Sequence, residues 1–272
     1  MRSSSADKTP VHAAQQGRAQ AQPSHLRPED RLGDLLDHPA FRGFSRLMLP
    51  WDGRDYDKAM PLTDAQRQAD PTLGHTGLFF FRGKPGAPFA VIAPGGGFSY
   101  VGSVHEGFPY AEEISRQGLN AFVLKYRAGH GGRVATEDLA SAVAYILENA
   151  RTLQVDTEGY SLWGSSAGAR MAAAIGSHGT ARFGRPPLPK PSMVVMAYTG
   201  HSEVTASEPP TFVAVGDQDG IAPPAVMEAR VAALRRSGTR VEYHSYPGVG
   251  HGFGTGHGTS AQGWIGQAIR FW

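Results

Sequence analysis

Three side chains in this sequence are of the types that serine-based nucleophilic chemistry needs. The first is Ser166, at the centre of the G-x-S-x-G pentapeptide Gly164-Ser165-Ser166-Ala167-Gly168. Small residues on both sides suit a strained, crowded turn from a strand into a helix, which would expose the Ser166 hydroxyl at a sheet edge. The helix N-terminus beneath it would favour developing negative charge. A glycine-rich turn without chemistry explains the pentapeptide equally well, so its surroundings must decide.

A serine nucleophile also needs a carboxylate that orients its base. Asp217 and Asp219 both follow an apolar run that ends at Val215. We favour Asp219, because it lies further from the strand end and a glycine turn follows it, which lets its side chain turn back across the sheet edge. The alternative is that one aspartate caps the next helix or forms an Asx-turn, and we expect Asp217 to play such a part.

The predicted base is His251, which lies between two glycines after the last apolar run. Two other histidines compete with it: His257 has a similar glycine-rich setting, and His244 falls within a predicted strand. We favour His251 because of chain order, since a nucleophile, a carboxylate and a base would then follow three strands that end at the same sheet edge.

Backbone N–H donors for an oxyanion are predicted in two places. The loop Pro94-Gly95-Gly96-Gly97 directly follows the predicted strand at residues 89–93, and glycines let N–H groups converge without side chains in the way. We expect this loop to supply oxyanion donors, together with the N–H group of Ala167, which directly follows the nucleophile. A phosphate-binding loop is the weaker interpretation, because neither a Lys-Ser or Lys-Thr pair nor the Rossmann spacing is present.

The elements that must position these residues follow from the hydrophobic pattern. Continuous apolar runs are typical of parallel strands covered on both faces, and they predict strands at residues 77–81, 89–93, 121–124, 160–163, 193–197, 211–215 and 241–246. Helical spacing predicts helices at residues 109–116, 137–150, 223–236 and 261–271, the second introduced by acidic Glu137 and Asp138. The alternation predicts an α/β fold with a mostly parallel twisted sheet and helices on both faces. Segments 177–191 and 198–210 are too short for a large lid domain.

Composition limits the partners that this chain can have. The 272 residues include 26 Lys and Arg against 24 Asp and Glu, and the net charge of +2 gives no reason to expect nucleic acid or an anionic membrane. The absence of Cys excludes disulfides, thiolate metal sites and a thiol nucleophile. No apolar run reaches the roughly 18 residues of a membrane span.

The N-terminal part carries no motif that points to chemistry. Residues 1–27 are rich in Ser, Gln, Ala and Arg, so we expect a disordered extension there and one catalytic domain over residues 28–272. No apolar stretch of a signal peptide follows the first basic residues, and the cytoplasm is therefore the expected location. Trp51, Tyr100 and Phe253 are candidates for contact with a substrate, with packing as the alternative for each.

Six stretches together resemble the α/β-hydrolase superfamily. They are Ala93-Pro94-Gly95-Gly96-Gly97-Phe98, Glu106-Gly107, Ala121-Phe122-Val123-Leu124-Lys125-Tyr126-Arg127, Gly164-Ser165-Ser166-Ala167-Gly168, Gly216-Asp217-Gln218-Asp219 and Pro247-Gly248-Val249-Gly250-His251-Gly252-Phe253. More narrowly, the pattern is similar to the small esterases grouped with acetyl-xylan and feruloyl esterases and with the hormone-sensitive-lipase-like enzymes. The resemblance implies an α/β-hydrolase fold and a triad of Ser166, Asp219 and His251. It also implies that the N–H groups of Gly96, Gly97 and Ala167 are the oxyanion donors. Pro94 stands where lipase-type loops carry His, which speaks against a long-chain lipid substrate.

These expectations combine into one predicted activity. We expect a serine hydrolase that cleaves carboxylic esters of short acyl groups, on a small-molecule or saccharide ester, through an acyl-enzyme on Ser166 and without a metal or organic cofactor. One alternative is an amidase or peptidase with the same triad, although the β-rich domain of prolyl-peptidase relatives is missing. The other is a binding protein that keeps the fold without the chemistry. The sequence sets neither the acyl group nor the oligomeric state.

Overall fold

The structure is a computed structural model that describes residues 64–272. The extension predicted over residues 1–27, the start of the predicted catalytic domain and the candidate contact Trp51 lie outside the described residues. The described residues form one sheet with helices around it, and they include the strands and helices that precede and follow the predicted site residues.

The sheet of the described residues has seven strands. They are β1 (Gly77–Phe81), β2 (Pro88–Ala93), β3 (Asn120–Lys125), β4 (Asp156–Ser165), β5 (Met193–Ala197), β6 (Thr211–Gly216) and β7 (Val241–Tyr246). Their order is β1-β3-β2-β4-β5-β6-β7, with β1 antiparallel to β3 and the remaining pairs parallel. The predicted mostly parallel sheet is confirmed, with β4 longer than its apolar run. Because β4, β6 and β7 run in one direction, the loops after them meet at one edge.

Helices cover both faces of this sheet. They are α1 (Asp64–Ala69), α2 (Phe108–Arg116), α3 (Gly131–Glu148), α4 (Ala150–Leu153), α5 (Ala167–His178), α6 (Pro224–Arg236) and α7 (Trp264–Phe271). Apolar side chains of α3, α5 and α6 pack on one face, and those of α2 and α7 pack on the other. Successive residues of β2 alternate between the two clusters, which is why its whole run is apolar. None of the helices over residues 64–272 is both long and apolar enough to cross a bilayer.

The predicted start of the helix that follows β3 was wrong. α3 begins at Gly131, so Asp138 lies in its third turn rather than at its N-terminus. The Asp138 carboxylate is 2% exposed and accepts hydrogen bonds from the backbone N–H (2.8 Å) and the guanidinium (2.7 Å) of Arg127. The acidic residue therefore neutralises a half-buried arginine in the β3–α3 connection. Two glycines at the helix start, which are poor helix formers, concealed its first turns.

Candidate active site

Ser166 occupies the turn between β4 and α5. β4 ends at Ser165 and α5 begins at Ala167, and Ser166 between them has φ 50° and ψ −115°. For a residue with a side chain, such a conformation costs on the order of 1–3 kcal/mol and is typical of functional sites. The flanking glycines are required by crowding: a Cβ on Gly164 would lie 2.4 Å from backbone atoms of Gly168. The pentapeptide is thus the strained elbow that its spacing predicts.

Replacing Gly168 by alanine is expected to prevent this elbow from closing. The added Cβ would lie 1.8 Å from the carbonyl oxygen of Ala93, so the end of β2 or the start of α5 would have to move. Overpacking of this kind costs about 3 kcal/mol or more in the free energy of unfolding, measured by denaturant titration. The matched control is Gly266→Ala in α7, where the nearest atom is the flexible guanidinium of Arg270 at 3.6 Å. That control is expected to be neutral or stabilising by up to about 1 kcal/mol, and equal stabilities of the two variants would contradict the crowding argument.

The structure brings the predicted nucleophile, base and carboxylate together. Nε2 of His251 lies 2.9 Å from Oγ of Ser166, and Nδ1 of His251 lies 2.8 Å from Oδ2 of Asp219. Two hydrogen bonds in series therefore connect the hydroxyl to the carboxylate. This is the arrangement in which a histidine takes the proton of a serine while a carboxylate fixes its tautomer.

Asp219 is held in place by its own turn. Its side chain is fully buried, and Oδ1 accepts the backbone N–H groups of Ile221 (2.9 Å) and Ala222 (2.7 Å). The Asx-type turn that we expected of Asp217 thus forms at Asp219, which leaves Oδ2 to face the histidine. Asp217 is exposed and accepts the N–H of Gly248 at 2.7 Å, a bond between the loops after β6 and β7. The expectation of a turn at Asp217 was wrong. The carboxylate of Asp219 makes both contacts, the turn through Oδ1 and the contact with His251 through Oδ2.

The two competing histidines have other surroundings. His244 lies in β7, where Nε2 is 2.6 Å from Oε1 of Glu242 and the ring stacks on Phe212. His257 lines a groove of about 700 Å³ that α2 and the start of α7 border. His251 is the histidine that hydrogen-bonds Ser166.

The residues predicted as oxyanion donors lie in a tight glycine loop after β2 and at the start of α5. Gly96 and Gly97 have φ values of 128° and 60°, and a Cβ on Gly96 would lie 2.1 Å from the carbonyl oxygen of Tyr100. Gly95 before them packs against the nucleophile, since a Cβ there would lie 3.1 Å from Cβ of Ser166. Ala167 is the first residue of α5, so its N–H has no acceptor within that helix. The donor roles of Gly96, Gly97 and Ala167 stay predictions; Ala167 directly follows Ser166 in the chain, and the loop approaches the nucleophile through Gly95.

Two buried side chains that had no role in the sequence-based prediction hold the oxyanion loop, residues 94–100. The hydroxyl of Tyr126 donates to the carbonyl oxygen of Pro94 at 3.1 Å and lies close to those of Gly95 and Tyr100. Oε2 of Glu106 accepts the N–H of Gly95 at 2.5 Å. Both residues belong to stretches that carry the family resemblance, and that membership was the available signal.

A third unassigned residue, Tyr198, supports the base. It follows β5 with φ 37°, and its ring meets the ring of His251 edge to face with centroids 5.2 Å apart. Its hydroxyl lies 2.7 Å from that of Tyr110, and burial raises the pKa of both phenols well above the ordinary value. Tyr198 is therefore uncharged at neutral pH, and its ring packs against the imidazole of His251.

Glu106 makes a further contact with its neighbour His105. Nε2 of His105 lies 3.3 Å from Oε1 of Glu106. The hydrogen bond to Glu106 raises the pKa of His105 above its usual value, against the effect of burial. Burial acts to raise the pKa of Glu106, but the hydrogen bonds and charge of its partners outweigh burial and hold that pKa below its usual value. Glu106 is therefore a carboxylate at neutral pH.

The candidate substrate contacts differ in exposure. Tyr100, the last residue of the oxyanion loop, is 41% exposed and stays a candidate. Phe253 is half-buried, with its ring 4.5 Å from that of Tyr198 and 6.2 Å from that of Trp264. Packing is the interpretation that these contacts favour for Phe253.

The fold and this geometry define the class of protein. A mostly parallel sheet with a strained serine elbow after one strand, an aspartate after a later strand and a histidine after the last strand is the plan of the α/β-hydrolases. The connection between β5 and β6 spans residues 198–210 and contains no helix or strand, in agreement with the predicted lack of a large lid domain. The chain has the α/β-hydrolase fold.

Comparisons with known proteins agree with this class. Residues 82–186 match the family model described as BD-FAE, and residues 187–271 match that of the Prolyl oligopeptidase family. Ser166 lies within the first match, and Asp219 and His251 lie within the second. The two matches thus cover successive parts of one sheet and one candidate site.

Individual relatives are esterases and hydrolases of low sequence identity. The chain is 21% identical over 207 residues to an acetylxylan esterase from Xylanibacter ruminicola, over 65% of this chain and 43% of that protein, so it spans less than half of that relative. The structure of Thermogutta terrifontis esterase 2 phosphonylated by cyclosarin is similar with a TM-score of 0.65 and 20% identity, over 72% of this chain and 88% of that chain. An acetyl ester-xyloside bifunctional hydrolase from Caldicellulosiruptor lactoaceticus has a TM-score of 0.65 and 20% identity, over 80% of this chain and 93% of that chain. These likenesses confirm the predicted fold and the resemblance to α/β-hydrolase esterases.

Proposed function

We propose that this protein is a serine hydrolase that cleaves carboxylic esters of short acyl groups. The observation that carries the proposal is the pair of hydrogen bonds that joins Ser166 to His251 and His251 to Asp219. The acetylxylan esterase relative and the esterase structures favour an ester as the substrate, with acetyl esters of carbohydrates as one class. A small-molecule or saccharide ester is therefore the substrate that we propose.

The chemistry follows from the order of these contacts. His251 takes the proton of Ser166 as Oγ attacks the acyl carbon, and Asp219 stabilises the imidazolium that forms. The negative oxygen of the tetrahedral intermediate would be bound by the N–H groups of Gly96, Gly97 and Ala167. His251 then gives its proton to the leaving alcohol, which leaves the acyl group on Ser166. A water molecule attacks this acyl-enzyme with His251 again as the base, which releases the acid and restores the serine. Independence from a metal or cofactor, and the cytoplasmic location, stay predictions from the sequence.

A panel of chromogenic substrates tests this proposal. We expect hydrolysis of p-nitrophenyl acetate and butyrate, with kcat/KM falling steeply by the decanoate, and release of acetate from acetylated xylo-oligosaccharides. An organofluorophosphonate should add to one serine, found by mass spectrometry in the peptide that contains Ser166. Turnover of no ester by folded protein would contradict the proposed activity.

The second candidate is an amidase or peptidase with the same triad, which the match of residues 187–271 to the Prolyl oligopeptidase family favours. A peptide p-nitroanilide and p-nitrophenyl acetate, compared by kcat/KM, separate the two candidates. A larger value for the anilide would identify a peptidase, because activated esters react faster than amides in a site without amide specificity.

A further inference from the structure

The carboxylate of Glu106 connects two parts of the site that are far apart in sequence. Oε2 accepts the N–H of Gly95 at 2.5 Å and the hydroxyl of Ser165 at 2.6 Å. Gly95 belongs to the oxyanion loop, and Ser165 is the residue before the nucleophile. One oxygen atom therefore holds the loop and the elbow together, although Glu106 lies 59 residues from Ser165.

The backbone at Gly95 and Gly102 packs closely against this carboxylate, so the carboxylate has little room to move. Cβ atoms built on Gly95 and on Gly102 would lie 3.0 Å and 3.2 Å from Oε2 of Glu106. The Cβ on Gly95 would also lie 3.0 Å from the carbonyl oxygen of Ser165. A change in the position of the carboxylate would therefore move the loop relative to the nucleophile.

Burial of the Glu106 carboxylate is by itself unfavourable for the free energy of folding. Its side chain is 4% exposed, and removal of a carboxylate from water costs several kcal/mol before its partners compensate. Its negative charge also opposes an oxyanion that forms nearby, by Coulomb's law. This carboxylate therefore does not stabilise the intermediate directly. Its contribution is to hold two donors in position, the N–H of Gly95 and the hydroxyl of Ser165.

We propose that Glu106 is a positioning residue, which sets the distance between the oxyanion donors and Oγ of Ser166 by accepting hydrogen bonds from Gly95 and Ser165 at once. This inference rests on the proposed function, because it assumes that Ser166 reacts with a carbonyl or phosphonyl centre. A misplacement of about 1 Å in such a site lowers turnover about 10²-fold. The effect falls on kcat rather than on KM, since the oxyanion contacts form in the transition state.

The mildest test compares two serine-to-alanine variants of one strand. Ser165 and Ser161 both lie in β4 and are 0% exposed, but the hydroxyl of Ser161 accepts the indole N–H of Trp163 at 2.8 Å. We expect Ser165→Ala to lower kcat about tenfold with KM changed less than about threefold. Ser161→Ala should keep the kcat of the wild type while it loses some thermal stability. Equal kcat values for the two folded variants would overturn the proposal.

A second pair of variants separates geometry from charge at Glu106. The carbonyl oxygen of Gln in Glu106→Gln can accept both donors, whereas Leu in Glu106→Leu has a similar volume and accepts neither. We expect kcat to fall less than about tenfold in the Gln variant and about 10²-fold in the Leu variant. An equal loss in both variants, or a wild-type kcat in a folded Leu variant, would overturn the positioning role. If the Leu variant fails to fold, the two serine variants decide.

The rate of fluorophosphonate addition keeps this test separate from the identity of the substrate. Phosphonylation of Ser166 needs the same donors, so its second-order rate constant should fall in parallel with kcat. A wild type that labels at Ser166 but turns over no ester would contradict the proposed function, and the ratio of labelling rates among the variants would still test Glu106. Loss of ester turnover with unchanged labelling in the Glu106→Leu variant would overturn the positioning role alone.

Discussion

Replacing Ser166 by alanine is expected to lower kcat for p-nitrophenyl acetate by about 10⁶-fold, because loss of the nucleophile removes the whole acyl-enzyme pathway. Oγ of Ser166 is the atom that accepts the acyl group in the proposed mechanism, and it lies 2.9 Å from Nε2 of His251. The residual rate should come from the remaining oxyanion donors and from binding. Initial rates at saturating ester, on protein freed of contaminating esterases, measure the effect.

Because the backbone of Ser166 is strained, a second substitution at this position, by glycine, serves as a control. Ser166 has φ 50° and ψ −115°, so Ser166→Gly should relieve strain while it removes the same hydroxyl. We expect the Gly variant to be as inactive as the Ala variant and more stable than the wild type by about 1 kcal/mol. Activity within tenfold of the wild type in either variant would exclude Ser166 as the nucleophile.

Most of the sheet could be predicted from the sequence because β2, β3, β5 and β6 are buried on both faces. Burial on both faces makes nearly every residue of a strand apolar, so β2, β5 and β6 stand out as continuous runs. The start of α3 could not be predicted, since its first residues are glycines and its acidic residue Asp138 serves an ion pair with Arg127. Helix boundaries depend on such contacts between elements, which no local pattern displays.

The candidate site was predictable in part for a similar reason. Ser166, Asp219 and His251 each follow a strand, so chain order and parallel strands suffice to bring them to one edge. Glu106 could not be given a role, because a buried glutamate and a solvated glutamate look alike in a sequence. Its partner Ser165 lies 59 residues away at the end of β4, and only the folded structure brings the two side chains together.

Replacing Asp219 by asparagine is expected to lower kcat by about 10⁴-fold. The orientation of the new amide follows from the hydrogen bonds that Asp219 accepts. Oδ1 of Asp219 accepts two backbone N–H groups, from Ile221 and Ala222, so the carbonyl oxygen of Asn would take that place. The NH₂ group would then face Nδ1 of His251 and donate to it. Nδ1 would become an acceptor and the proton would move to Nε2, where the imidazole can no longer take the proton of Ser166.

The neighbouring aspartate supplies the matched control for this tautomer argument. Asp217→Asn makes the same substitution two residues away, at an exposed side chain that accepts only the N–H of Gly248 among the described residues. We expect its kcat to stay within about twofold of the wild type, because an Asn carbonyl oxygen accepts that bond equally well. The imidazole proton of His251, observed by NMR, should shift from Nδ1 to Nε2 in Asp219→Asn alone. A large loss of kcat in Asp217→Asn with activity retained in Asp219→Asn would transfer the orienting role to Asp217, since the two carboxylates are the candidates that follow β6.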